Sequence, residues 1–119
     1  MKLLIVDDSS VVRRAIERDL ESGNIAEVDQ AANGEEAVRL YADKLHDVVT
    51  LDITMPKMDG LTCLDRIMAI NPAAKVLIIS ALRDRATAID AIKRGASGFL
   101  CKPISPEELR ESFQLLLND

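Results

Sequence analysis

The sequence predicts a doubly wound α/β fold, with five parallel strands and five helices in strict alternation. Short, nearly continuous apolar runs mark the strands, as expected where a strand is covered on both faces. Amphipathic stretches that begin with helix-capping residues separate them. The alternation is the third observation, because right-handed crossovers between parallel strands place helices on both faces of one sheet. At 119 residues the chain reads as one domain, residues 1–119, long enough to bury a core without metal or disulfide staples.

Lys2–Val6 is the first strand. Ser9 or Ser10 caps the next helix, whose inner stripe is Val12, Ala15, Ile16 and Leu20. Ser22-Gly23-Asn24 ends it. Ile25–Ala31 is a more polar strand, suited to a sheet edge. Asn33 with Glu36 opens a second helix in the manner of a capping box, with Val38, Tyr41, Ala42 and Leu45 facing inward. Asp47–Leu51 is the third strand. A loop with Met55-Pro56 and Asp59-Gly60 leads to a helix over Leu61–Ile70, stopped by Asn71-Pro72. Lys75–Ser80 is the fourth and most apolar strand, followed by a helix over Arg85–Arg94 that Gly95 closes. Gly98–Cys101 is a short fifth strand. Ser105, Pro106 and Glu108 give the last helix an N-cap, a first-turn proline and a capping glutamate, and Leu109, Phe113, Leu116 and Leu117 are its buried side. Five strands suit the flavodoxin-like order 2-1-3-4-5, which is taken from that fold type rather than read from the residues.

Composition narrows the function. Net charge is −5, and residues 1–60 hold 13 acidic and 7 basic residues. An acidic chain without a basic block is a poor nucleic-acid binder, and Tyr41, Phe99 and Phe113 offer no platform for stacking bases. No apolar run approaches the roughly 18 residues of a membrane span, and the N-terminal apolar stretch is too short for a signal peptide. Cys63, Cys101 and His46 lack metal-site spacing, so they read as two half-buried thiols and a surface imidazole, in keeping with a reducing cytoplasm.

In an open parallel sheet, ligands sit beyond the C-terminal strand ends. Here those ends carry Asp7-Asp8, Asp52, Ser80 and Lys102. Each residue alone has an ordinary use in a turn or at a helix start. Together they bring three carboxylates, a hydroxyl and an ammonium to one rim. Crowded carboxylates repel, and a hard divalent cation such as Mg²⁺, which takes oxygen ligands, relieves them. A phosphoryl group on Asp52 would then meet Mg²⁺, the Lys102 ammonium and the Ser80 hydroxyl, as phosphoryl transfer requires.

The stretches LLIVDDSSVVRR, VVTLDITMPKMDGL, VLIISA and GASGFLCKP together resemble the receiver domain of two-component response regulators, over essentially the whole chain. DITMPKMDGL looks closest to small chemotaxis-type regulators, although regulators with DNA-binding outputs share it. The resemblance implies a signalling switch rather than an enzyme, one that accepts a phosphoryl group from a histidine kinase or phosphotransfer protein on Asp52. It implies Mg²⁺ ligation by Asp8 and Asp52, by Asp7 through water and by the Thr54 carbonyl. Ser80 is the implied switch hydroxyl, Lys102 the active-site lysine and Phe99 the rotating aromatic. Pro56 and Gly60 match the loop after the phosphoacceptor, and a cis Lys102-Pro103 bond is expected. Thr54 and Leu82 stand where residues flank the path of hydrolytic water. The fourth helix, fifth strand and fifth helix would bind an effector or a second copy, with Lys93, Arg94 and Leu115 as contacts and Thr87 and Asp90 on the same outer helix face. The expected absences are a nucleic-acid site and a membrane segment. A haloacid-dehalogenase-like phosphohydrolase is the rival, but its D-x-D motif is missing. A receiver excised from a longer transcriptional regulator stays open.

Overall fold

The protein is described from a computed structural model, which covers residues 1–22, 24–55 and 58–118. Gly23 of the first helix stop and Pro56 of the long loop lie outside the described residues. Strands β1 (Lys2–Val6), β2 (Glu27–Ala31), β3 (Val48–Leu51), β4 (Val76–Ser80) and β5 (Gly98–Cys101) form one sheet in the order β2-β1-β3-β4-β5, with every pairing parallel. Helices α1 (Ser10–Leu20), α2 (Gly34–Lys44), α3 (Gly60–Ile70), α4 (Arg85–Lys93) and α5 (Pro106–Leu117) alternate with the strands.

The pleat divides each strand between two cores. Leu4, Val6, Val49, Leu51, Val76 and Ile78 face one side, against Ala37, Tyr41, Cys63, Leu64, Ile67 and Ala91 of α2, α3 and α4. Leu3, Ile5, Val48, Leu77 and Ile79 face the other, against Ile16 and Leu20 of α1 and Leu109, Phe113 and Leu116 of α5. Most of these side chains are fully buried, each contributing about 1.5–3 kcal/mol of hydrophobic stabilisation. The expected caps are present: the side chains of Ser9, Asn33 and Ser105 accept the backbone N–H three residues on, from Val12, Glu36 and Glu108.

Several expectations are corrected. The first two residues assigned to the second strand precede it, with the Ile25 N–H on the Ser22 carbonyl and the Ala26 N–H on the Met1 carbonyl, and ladder pairing starts at Glu27. The inner face of α2 is Ala37 and Tyr41, with Val38 half-buried, whereas Ala42 and Leu45 are exposed. Leu45 is the C-cap of α2, at φ 50, and this left-handed turn redirects the chain so that His46 points inward. His46 is not a surface imidazole. It is buried, Nε2 lies 2.7 Å from Asp29 Oδ2, and the ring stacks on Tyr41 with centroids 6.2 Å apart. Helix α4 also sits differently on its axis. Ala91 is its buried residue, with Thr87, Ala88 and Asp90 half-buried, whereas Ile89 and Ile92 are exposed. Arg94 is its cap rather than its last turn.

Candidate functional site at the strand ends

The parallel sheet delivers the rim residues as expected. Asp7 follows β1, Asp52 follows β3, Ser80 ends β4 and Lys102 follows β5. Carboxylate oxygens of Asp7, Asp8 and Asp52 all lie within 4.8 Å of one another. Asp7 and Asp52 are buried, and Asp8 is exposed.

Each of these groups is held by its surroundings. The Asp7 N–H donates to the Ala31 carbonyl and the Asp52 N–H to the Val6 carbonyl, which extends the ladder past both strand ends. Asp7 Oδ1 accepts the Ser9 N–H at 2.9 Å, and its Oδ2 is 2.8 Å from Lys102 Nζ. Lys102 Nζ is also 3.8 Å from Asp52 Oδ2, so one ammonium is shared between two carboxylates. The Lys102 N–H donates to the Ser80 carbonyl, and the Lys102-Pro103 bond is cis, as expected. Asp52 Oδ1 accepts the Thr54 N–H at 3.4 Å. Behind Asp52, Gly60 opens α3 so close to the sheet that a Cβ there would overlap the Asp52 carbonyl and the Ile53 Cα.

Burial lifts the Asp52 carboxyl above the usual carboxylate range; Lys102 opposes this, and Asp7 and Asp8 add to it. Such a group gains most from a cation. The three carboxylates fit the oxygen-ligand chemistry of Mg²⁺, and Asp8 has the exposure to take up an ion from solvent.

The Ser80 hydroxyl is fully buried and accepts the Leu82 N–H at 3.1 Å. Thr54 and Leu82 are both exposed at the mouth of the site. Phe99 is half-buried against the core beneath α3 and α4. Lys93, Arg94 and Leu115 are exposed away from the rim, Leu115 at 69%, and Arg94 is engaged by Asp90 and Asp65. The two cysteines are free, and burial pushes the Cys63 thiol up to about 12, which makes it an inert packing group.

Sequence reasoning missed two contributors to the site. Arg13 donates from Nη1 to the Asp7 carbonyl at 2.6 Å and from Nε to Gln30 Oε1 at 3.0 Å, and Gln30 in turn donates to Glu17. Arg83 donates to the Lys102 carbonyl at 3.0 Å. No spacing marks either residue, because the site atoms they hold are backbone carbonyls distant in sequence or outside any motif.

Among the described residues, no helix is long and apolar enough to cross a membrane. Residues 3–114 match the family model of the response regulator receiver domain. The chain is 44% identical over 114 residues to the chemotaxis protein CheY of Listeria monocytogenes, with 96% of each chain covered. A protein-glutamate methylesterase/protein-glutamine glutaminase of Archaeoglobus fulgidus is 44% identical over 104 residues, which is 87% of this chain and 30% of that protein. Among solved structures, one from the CheX–CheY–BeF3–Mg²⁺ complex of Borrelia burgdorferi superposes with a TM-score of 0.94 at 39% identity, covering 98% of this chain and 89% of that one. These likenesses do not favour the phosphohydrolase reading. The chain belongs to the response regulator receiver domain family, among its CheY-like signalling switches.

Proposed function

We propose that Asp52 is the phosphoacceptor of this switch. One observation carries the assignment: Asp7, Asp8 and Asp52 converge within 4.8 Å while Lys102 bridges Asp7 and Asp52. An Asp52 oxygen attacks the phosphorus of a phosphohistidine, the N–P bond breaks, and an acyl phosphate forms. Asp8 and Asp52 would hold Mg²⁺ directly, Asp7 through water, with the Thr54 carbonyl as a further ligand. The ion would supply positive charge to the transferring phosphoryl oxygens. Lys102 contributes the second positive charge, and the Ser80 hydroxyl a hydrogen bond to the product. Phe99 then moves into the space that Ser80 leaves. Phosphate loss by attack of water belongs to the same site. A histidine kinase or phosphotransfer protein is the donor, and two free thiols suit the reducing cytoplasm where it works.

For output, we assign the face of α4, β5 and α5. Exposed Ile89 and Ile92 stand beside Lys93 on α4, and Leu115 on α5 lines a groove with Gly98 and Phe99 of β5. Apolar groups ringed by charge suit an effector protein or a second copy. The test is phosphorylation by a small acyl phosphate with Mg²⁺. Wild type should acquire a hydroxylamine-labile phosphate, and Asp52→Asn should not. Equal labelling of both proteins would refute the assignment.

A further inference from the structure

We propose that Arg83 is a latch that holds the loop between β4 and α4 in its unphosphorylated arrangement. The inference rests on the switch reading above and goes beyond it. Residues 81–84 of this loop are all exposed, so apolar packing holds them only weakly. Polar ties do most of the holding. The Leu82 N–H donates to Ser80 Oγ at 3.1 Å, the Cys101 thiol reaches the Leu82 carbonyl at 3.7 Å, and Arg83 Nη2 donates to the Lys102 carbonyl at 3.0 Å. The thiol contact is the weakest of these, since sulfur is a poor donor. The first tie is lost when Ser80 turns its hydroxyl toward a phosphoryl group on Asp52, because the Leu82 N–H bond holds that oxygen on the loop side. Asp84 ties the far end of the loop only to α4, through the Thr87 N–H and hydroxyl, so the guanidinium bond then remains as the main restraint toward β5. It joins the loop to the residue whose ammonium grips Asp7 and Asp52. A contact made in one state and lost in the other shifts the equilibrium by its own strength. Arg83 therefore opposes switching, and its removal favours the phosphorylated form.

The experiment measures beryllofluoride binding in saturating Mg²⁺ by fluorine NMR on the full chain, for wild type, Arg83→Ala and Arg83→Lys. The side chain is exposed, so both variants fold. Arg83→Ala should bind beryllofluoride about three- to ten-fold more tightly, the range expected for losing one exposed charged hydrogen bond from the unswitched state. Arg83→Lys, which keeps the charge and one donor, should fall between, and Mg²⁺ affinity without beryllofluoride should stay the same in all three. Weaker binding by Arg83→Ala would mean that the guanidinium attracts the anion, and would overturn the latch. Equal binding by all three proteins would overturn it too. Wild type that binds no beryllofluoride at all would instead remove the switch reading, and the latch with it.

Discussion

Replacing Asp52 with Asn should stabilise the metal-free protein while removing its chemistry. Asp52 is only 5% exposed, and its neighbours act in opposite senses. A buried like charge at the 4.8 Å limit of the cluster repels it by about 3.5 kcal/mol at an effective dielectric of about 20. Lys102 at 3.8 Å attracts it by about 4.4 kcal/mol on the same scale. Asp7 is buried and exerts its repulsion in full; Asp8 is exposed, and water cuts its share to about 1 kcal/mol. These contributions nearly cancel. What remains is the desolvation of the carboxylate, the leading cause of its raised pKa. A neutral amide of the same shape escapes most of that cost, so Asp52→Asn should gain about 1 kcal/mol.

Urea unfolding at pH 7 with a chelator present checks this. The pH dependence has a definite sign. A carboxyl with a raised folded pKa binds more protons folded than unfolded, between its unfolded and folded values. Wild-type stability therefore falls as pH rises through that window, and the advantage of Asp52→Asn should shrink as pH is lowered from 7 into it. Mg²⁺ should reverse the order: at a hundred times its Kd, an ion adds about 2.7 kcal/mol to a protein that binds it. A variant no more stable than wild type at pH 7 without metal, or a difference that ignores pH, would refute the desolvation argument.

Four further outcomes are expected. Thr50→Val should stabilise by about 1 kcal/mol in urea melts, because the buried Thr50 hydroxyl has no hydrogen-bond partner among the described residues and valine keeps its shape. His46→Ala should cost about 2–4 kcal/mol through lost packing on Tyr41 and a lost bond to Asp29. His46 and then Lys44 hold the Asp29 carboxyl below its usual range; that stability is present above the unfolded pKa and lost as pH falls through the folded one, so acid melts of His46→Ala should show a smaller loss. Leu115→Glu should leave phosphorylation rate unchanged and weaken phosphorylation-dependent association several-fold, read by sedimentation or partner titration. Thr54→Asn with Leu82→Glu should shorten the life of the Asp52 phosphate several-fold, since neither native side chain positions water as well as an amide or carboxylate; equal decay rates would show that these positions do not gate water.

The fold and the rim were legible because both follow from period and order along the chain. Alternating elements dictate a parallel sheet, and a parallel sheet gathers every strand's C-terminal residue on one edge. Helix orientation was less legible where amphipathicity is weak. In α4 the apolar residues Ala86, Ala88, Ile89, Ala91 and Ile92 run round the axis, so no wheel reveals that Ala91 is buried and Ala88 half-buried while Ala86 and both isoleucines are exposed. The inner face of α2 failed for a local reason: Leu45 occupies a left-handed cap where Gly or Asn is the usual sign, and the helical pattern stops one residue before the sequence suggests. His46 and Asp29 meet only because β2 and the turn after α2 are neighbours at the sheet edge.

The two halves of the site are held by different kinds of interaction, and this separates the chemistry from the switch. On the acidic side, Asp7 and Asp52 are buried, both backbones are tied into the ladder, and Arg13 braces the Asp7 carbonyl through a chain that reaches β2. Moving either carboxylate would strain several bonds at once, the buried ladder bonds to the Ala31 and Val6 carbonyls among them. On the other side, the loop after Ser80 is exposed, so water replaces each tie as it breaks. On the proposed function, a phosphoryl group on Asp52 would draw the Ser80 hydroxyl toward it. On that reading the side that yields would be the one with the lower cost of rearrangement, the exposed β4–α4 loop. The α4 face carries exposed Ile89 and Ile92, so on the proposed function a displacement that begins at Ser80 would alter an apolar surface that a partner could read.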